Sequence, residues 1–321
     1  VEQLEGRIAV VTGGGTGMGR ELVRQLAAEG CDVATCDVAD DTMAETKHLA
    51  LEGAPDGTRV VTFVADVSHE SQMLAFRDAV ESELATDHIH LLFNNAGIGG
   101  GGSVVADDRE EWDRTFGVDW GGVYYGTRSF LPLLLAADEG HIVNTSSING
   151  LWASVGPTTP HTAYCAAKFA VRGFTEALIA DFRVNAPHLR ASVVMPGHIG
   201  TSIIINSGKA HGQEPDTMDA EHLARLRSQA ERSGLPVESL TDDDLRKGMQ
   251  MMAEIFRDTA PTTAAQAATI ILDGVKANEW RILVGDDAHT LDEAVRADPE
   301  HAYDQEFWDA LRAQGLFGGF G

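Results

Sequence analysis

Over the first 200 residues, short apolar runs alternate with longer stretches in which apolar positions recur every three or four residues. The runs at 7–12, 32–37, 59–65, 89–93, 141–145 and 190–195 read as strands, with one more at 281–284. Between them the spacing predicts helices over 17–29, 40–52, 69–85, 108–137 and 162–184; in the first, Leu22, Leu26 and Ala27 share one side. Strands that are apolar almost throughout, rather than at alternate positions, are covered on both faces. Separated by helices, they predict an α/β fold with a parallel sheet. Right-handed crossovers make the doubly wound Rossmann arrangement the economical one.

Two segments break the alternation. Residues 202–260 lie between the sixth and seventh strands and are polar, with two helical patterns: Leu223, Leu226 and Ala230 in one, and Leu245, Met249, Met252 and Phe256 in the other. This segment is expected to be an inserted helical lid. Residues 286–321 form a C-terminal extension containing Phe307, Trp308, Leu311, Leu316, Phe317 and Phe320. Neither segment has enough apolar surface for a core of its own, so both read as additions to a single domain over 1–321. The apolar set of the extension is too large to stay solvated and is expected to cover a neighbouring subunit.

Charge and cysteine content narrow the function. Among the 321 residues are 24 Lys+Arg and 49 Asp+Glu, a formal charge of −25. Such a chain repels phosphate backbones and anionic headgroups, which argues against nucleic-acid and membrane-surface partners. No apolar run reaches the roughly 18–20 residues of a membrane span. The residues Val1 to Glu5 show neither a basic n-region nor a signal-peptide core. Cys31, Cys36 and Cys165 lack CxxC spacing and cannot all pair, which suits a reducing, cytoplasmic compartment. The histidines include no HExxH, and no metal is expected; His88 and His90, alternating about a strand start, read as surface residues.

The first strand runs directly into Thr12-Gly13-Gly14-Gly15-Thr16-Gly17-Met18-Gly19 and then a helix. Glycines there let the backbone turn sharply and approach a pyrophosphate held at the helix N-terminus. Met18 stands where the strict G-x-G-x-x-G pattern has its last glycine, so the form is T-G-x-x-x-G-x-G. Asp37 ends the second strand 18 positions after Gly19, near the spacing at which an acid meets the ribose 2′-hydroxyl. The bland alternative is a solvated acid at a strand end. Thr16 and Val38 offer no cation for a 2′-phosphate, which favours NAD over NADP.

Tyr164-Cys165-Ala166-Ala167-Lys168 opens a helix and sets Tyr164 and Lys168 one turn apart on one face. A phenol titrates near pH 10, and a nearby ammonium favours its ionised form. Alone the pattern is weak, but the strand before it ends in Asn144-Thr145-Ser146-Ser147 and can bring a hydroxyl to the same place.

Together with Asp66-Val67, Asn94-Asn95-Ala96-Gly97 and Pro196-Gly197-His198-Ile199-Gly200-Thr201, these motifs resemble the short-chain dehydrogenase/reductase family. The resemblance covers 4–201 and 262–285. It implies catalysis by Ser147, Tyr164 and Lys168 and cofactor contacts from Gly13, Thr16, Gly17, Met18, Gly19 and Asp37. Further contacts are implied for Asp66 and Val67 at the adenine, and for Asn95, Ala96 and Gly97 at the ribose. Pro196, Gly197, Ile199 and Thr201 would hold the nicotinamide end, with Tyr164 and Lys168 beside it. One departure stands out: where the family carries an asparagine of its proton relay, this chain has Asp119, which the resemblance still implies as a fourth catalytic residue passing protons through its main-chain carbonyl. The family also implies a tetramer or dimer built on the 108–137 and 162–184 helices.

The resulting expectation is an NAD-dependent enzyme that interconverts a small secondary alcohol and its ketone. The Met-containing lid suggests a hydrophobic or cyclic substrate, although such a stripe is more often packing. The rival is a cofactor-binding regulator or scaffold with a degenerate site, encouraged by Asp119. Residues 99–102 read as a substrate-side loop, and 156–160 as an insertion between Ser147 and Tyr164. Trp120, Trp152, His161 and His198 lie near pocket segments and are equally compatible with plain packing.

Overall fold

A computed structural model of the chain describes residues 1–157, 159–214, 218–232, 237 and 239–316. Its strands are β1 (Ile8–Thr12), β2 (Asp32–Asp37), β3 (Val60–Val64), β4 (Leu91–Asn94), β5 (Gly140–Thr145), β6 (Leu189–Pro196), β7 (Ile199–Gly200), β8 (Thr262–Thr263) and β9 (Arg281–Val284). Helices α1 (Gly17–Ala28), α2 (Asp40–Glu52), α3 (Glu70–Glu83), α4 (Arg109–Phe116), α5 (Gly122–Ala136) and α6 (Thr162–Asn185) separate the first six strands. Helices α7 (Ile203–Ala210), α8 (Ala220–Arg232) and α9 (Asp242–Asp258) lie between β7 and β8. Then come α10 (Ala264–Lys276), α11 (Asp286–Ala297) and α12 (Gln305–Ala313).

Seven strands pair in parallel in the order β3-β2-β1-β4-β5-β6-β9, the doubly wound α/β arrangement. The order reverses between β1 and β4, where Val10 pairs with Ala34 on one side and Leu92 on the other. A crevice opens at the carboxyl ends of the strands at such a point. One face of the sheet packs Leu22, Val23 and Leu26 of α1 with Ile271 and Leu272 of α10. The other packs Met73 and Phe76 of α3 with Phe130 of α5 and Leu178 of α6. At the centre, buried amides are linked from strand to strand and on to a helix. Asn94 Nδ2 donates to Asn144 Oδ1 at 2.8 Å, and Asn144 Nδ2 to Thr175 Oγ1 at 2.9 Å.

The structure departs from the sequence reading in four places. The helix expected over 108–137 is interrupted by a π-helical turn, Gly117–Gly121, that carries Asp119. Three helices rather than two occupy the 202–260 segment, and Met218, Leu223, Val237 and Leu245 give it a small core of its own. The extension buries Trp308, Leu311 and Leu316 against Ile148, Leu151 and Trp152 of the same chain, not against a neighbour; Phe317 and Phe320 lie outside the described residues. His90 is 5% exposed and accepts the Ile8 N–H at 3.1 Å, so it belongs to the interior although His88 beside it is partly exposed. Among the described residues, no helix is long and apolar enough to cross a membrane.

Candidate active site

The glycine loop after β1 is shaped by close approaches. Gly13 has φ +70°, and a Cβ there would lie 2.8 Å from Ala96 Cα; at Gly19 a Cβ would run into the Gly13 carbonyl oxygen. The Thr12 hydroxyl accepts the Asn95 and Ala96 N–H groups at 3.0 and 3.1 Å, and Asn95 Nδ2 donates back to the Thr12 carbonyl at 3.0 Å. The loop after β4 is thereby sewn to the glycine loop. Thr16, at the N-cap of α1, makes no side-chain cap, and the first turn, with Gly17 and Met18, has no acidic residue. Its N–H groups are suited to a pyrophosphate.

Asp37 Oδ2 accepts the Gly15 N–H at 3.0 Å, and Oδ1 accepts that of Val38 at 2.8 Å. This carboxylate braces the glycine loop, an acceptor role that fits a ribose diol beside it. Asp66 accepts the Ser68 N–H and hydroxyl at 2.9 and 2.7 Å and pairs with Arg114 at 2.6 Å. Burial pushes its carboxyl up, but the Ser68 and Arg114 hydrogen bonds outweigh it and hold the group below the usual range. The Val67 side chain packs where Gly122 of α5 leaves room.

Across the crevice, Pro196 pairs with Val284, and Ile199 with Thr262. Gly17 comes close to Thr201, since a Cβ on it would lie 3.2 Å from the threonine side chain. His198 N–H donates to Asp287 Oδ2 at 2.6 Å, and Gly197 is pressed against the same carboxylate. The glycine loop thus meets the loop after β4 at Ala96 and the segment after β7 at Thr201.

Ser147 ends the segment after β5 and caps the short turn Ile148–Gly150, accepting the Asn149 N–H at 3.1 Å. Its neighbour Ser146 donates instead to the Lys168 carbonyl at 2.7 Å, so Ser147 is the serine that acts on Tyr164. Lys168 Nζ lies 5.3 Å from the Tyr164 ring centre and donates to the Thr145 carbonyl at 3.2 Å. Asp119 is fully buried: Oδ1 accepts the Ile98 N–H at 2.8 Å, and Oδ2 lies 3.7 Å from Lys168 Nζ. Gly97 fits against this pair, 3.1 Å from both partners if it carried a Cβ.

Burial pushes the Asp119 carboxyl up to about 6 against the pull of Lys168. The Tyr164 phenol is pushed up as well, by burial first and by the Asp119 charge second, with Ser147 acting the other way. The lowering expected from Lys168 is thus not what the protein groups alone produce, because desolvation and the Asp119 carboxylate both favour the neutral phenol.

Several contributors escaped the sequence reading because their partners are distant along the chain. Arg114 reaches Asp66. Asn206 of α7 donates to the Thr16 hydroxyl at 2.9 Å, and the Ser207 hydroxyl accepts the Gly99 N–H at 2.7 Å. His211 Nε2 lies 2.9 Å from the Gly99 carbonyl oxygen, so α7 sits over both cofactor loops. Of the four aromatic candidates, Trp152 is buried and donates to the Ala302 carbonyl at 2.7 Å, while Trp120 stacks on Tyr124. His198 Nε2 lies 2.7 Å from the Phe256 carbonyl oxygen, and the His161 ring lies tilted against that of Tyr164.

The family model described as short chain dehydrogenase matches residues 7–212. SadH of Mycobacterium tuberculosis is 34% identical over 297 residues, 92% of each chain. Levodione reductase of Leifsonia aquatica is 32% identical over 221 residues, 68% of this chain and 79% of that one. A solved short-chain dehydrogenase/reductase from Burkholderia phymatum, in complex with NAD, superposes with a TM-score of 0.74 at 26% identity, covering 94% of this chain and 96% of that one.

Proposed function

The chain belongs to the short-chain dehydrogenase/reductase family of oxidoreductases, and from that premise we propose that it interconverts a secondary alcohol, hydrophobic or cyclic, and its ketone with NAD. The observation that carries this reading is the grouping of Ser147 and the Lys168 ammonium about the Tyr164 ring, with Nζ 5.3 Å from the ring centre. A bound nicotinamide supplies the hydride acceptor or donor. Gly13, Thr16, Gly17, Met18 and Gly19 would hold its pyrophosphate, Asp37 and Asn95 to Gly97 the riboses, Asp66 and Val67 the adenine, and Pro196 to Thr201 the carboxamide end.

The residues then divide the remaining work. Ser147 donates to the substrate oxygen and orients it. Tyr164 takes the alcohol proton at Oη during oxidation and returns it during reduction. Lys168 supplies positive charge below the phenol and a donor toward the ribose. Asp37 favours NAD, because a carboxylate accepts a ribose hydroxyl and repels a 2′-phosphate. The 202–260 segment acts as a lid that excludes water from the reacting atoms. Exposed Tyr124, Leu135 and Phe169 on α5 and α6 support self-association through those helices.

Asp119 favours the rival reading, a cofactor-binding protein without turnover, since its charge opposes phenolate at Tyr164. NADH formation with a panel of secondary alcohols separates the two. Tyr164→Phe is expected to lower kcat about 10²–10⁴-fold while leaving NADH affinity nearly unchanged. Retention of more than about a tenth of the wild-type rate would remove Tyr164 from the proton step.

A further inference from the structure

His161 stands three residues before Tyr164, at the N-cap of α6, yet its side chain makes no capping hydrogen bond. Ser, Thr, Asp or Asn is the usual choice at such a position, so helix capping does not account for a histidine. Its ring lies on the Tyr164 ring, with centres 4.7 Å apart and planes 31° apart. Burial pushes the imidazole down to about 4, so near neutrality it is uncharged, with one N–H donor and one nitrogen acceptor. Among the described residues, neither nitrogen has a hydrogen-bond partner.

His161 also borders a cavity of about 270 Å³, between the loop after β4 and the 202–260 segment, with walls that include Gly100, Glu111, Met218, His222 and Leu226. Ligand pockets commonly span roughly 300–1,000 Å³, so the occupant is small. The rim is acidic. Asp107 accepts the Ser103 N–H, Glu111 accepts that of Gly101, and Asp108 pairs with Arg225. Three carboxylates against one guanidinium disfavour an anionic substrate. A half-buried ring with an unused donor and acceptor, beside the phenol that handles the substrate oxygen, is placed to meet a second polar atom of the same molecule.

Resting on the function proposed above, we propose that His161 is a specificity-determining residue that selects small uncharged ketones or alcohols bearing a second oxygen, such as a diketone or hydroxyketone. The hydrogen bond to that oxygen holds the reacting carbonyl at Ser147 and Tyr164, and a ketone without it forgoes that bond. Sites built around such a bond discriminate strongly against the analogue that lacks it.

The test compares wild type, His161→Phe and His161→Gln, each with NADH, against cyclohexanone, the matching cyclic diketones and a cyclic keto acid. Wild type is expected to favour a diketone by about tenfold or more in kcat/KM and to use the keto acid no better than cyclohexanone. His161→Phe keeps a ring on Tyr164 but no polar atom. It should lose the preference through KM while its rate on cyclohexanone stays within about threefold of wild type. His161→Gln, which restores hydrogen bonding without the ring, should keep part of the preference and decides the matter if the Phe variant does not fold. No diketone preference in wild type, or an equal loss on every ketone in the variants, overturns the inference and leaves the proposed function standing. A wild type inactive on all ketones, and on secondary alcohols with NAD, overturns both.

Discussion

Asp119 places an acid where it has one satisfied oxygen and one that faces Lys168 alone. With its carboxyl pushed up to about 6 by burial, it is mainly neutral below that pH and charged above it. Its negative form disfavours phenolate at Tyr164, so the charge works against alcohol oxidation in the range where oxidation needs the base. Asp119→Asn removes that charge and keeps an acceptor for the Ile98 N–H. The ascending limb of the pH–rate profile for oxidation is therefore expected to move to lower pH by about one unit, with plateau kcat changed less than about tenfold. An unmoved limb would show that the carboxylate does not act on the phenol. Asp37 gives a second expectation at this scale. Val38 beside it is exposed and leaves room for a guanidinium, so Asp37→Ala with Val38→Arg should shift preference toward NADP(H). Because the same carboxylate also braces Gly15, the double variant should bind NAD(H) more weakly as well. Wild type with the higher kcat/KM for NADPH would contradict the role given to Asp37.

Among the elements, strands were the most legible in the sequence, because a strand covered on both faces is apolar almost throughout, as in Ala9-Val10-Val11 and Leu91-Leu92-Phe93. Helix α7 was not, since Ile203-Ile204-Ile205 has no helical period and its role lies in Asn206, Ser207 and His211, whose partners are over ninety positions away. The π-helical turn at 117–121 leaves no periodic mark either. In the extension, apolarity announced burial but not the surface buried against: Trp152 stacks on Trp308, donates to the Ala302 carbonyl, and its neighbour Ala153 donates to the Tyr303 hydroxyl at 3.1 Å. Those contacts lie directly behind the Ser147 turn, while Asp287 holds the loop at 197–198. Trp308→Ala is accordingly expected to cost about 3–5 kcal/mol of stability, as buried aromatic deletions do. In the folded fraction kcat should fall while NADH affinity is retained. A variant with wild-type melting temperature and kinetics would leave the extension without this role.

For the whole molecule, the sequence placed the glycine loop, Asp37 and the residues after β4 at strand ends, while the strand order that brings them to the β1/β4 switch came from the structure. Tyr164 and Lys168 could be set on one helix face from their spacing, whereas the choice of Ser147 over Ser146 came from the family resemblance. Their electrostatics were not readable there, since the direction of the Tyr164 shift depends on burial and on a carboxylate 45 positions away. Net charge acts at this scale too. Two copies, each at −25, repel one another across any interface, and salt screens that repulsion over a Debye length of about 8–10 Å. The exposed Tyr124, Leu135 and Phe169 on α5 and α6 offer an apolar patch whose burial opposes it. If those helices form the subunit contact, the dissociation constant measured by sedimentation should fall as sodium chloride is raised from low to physiological concentration. Tyr124→Glu with Phe169→Glu should yield monomer or dimer at every salt concentration. An assembly that salt weakens would instead be held by ion pairs, and one untouched by the double variant would place the contact elsewhere.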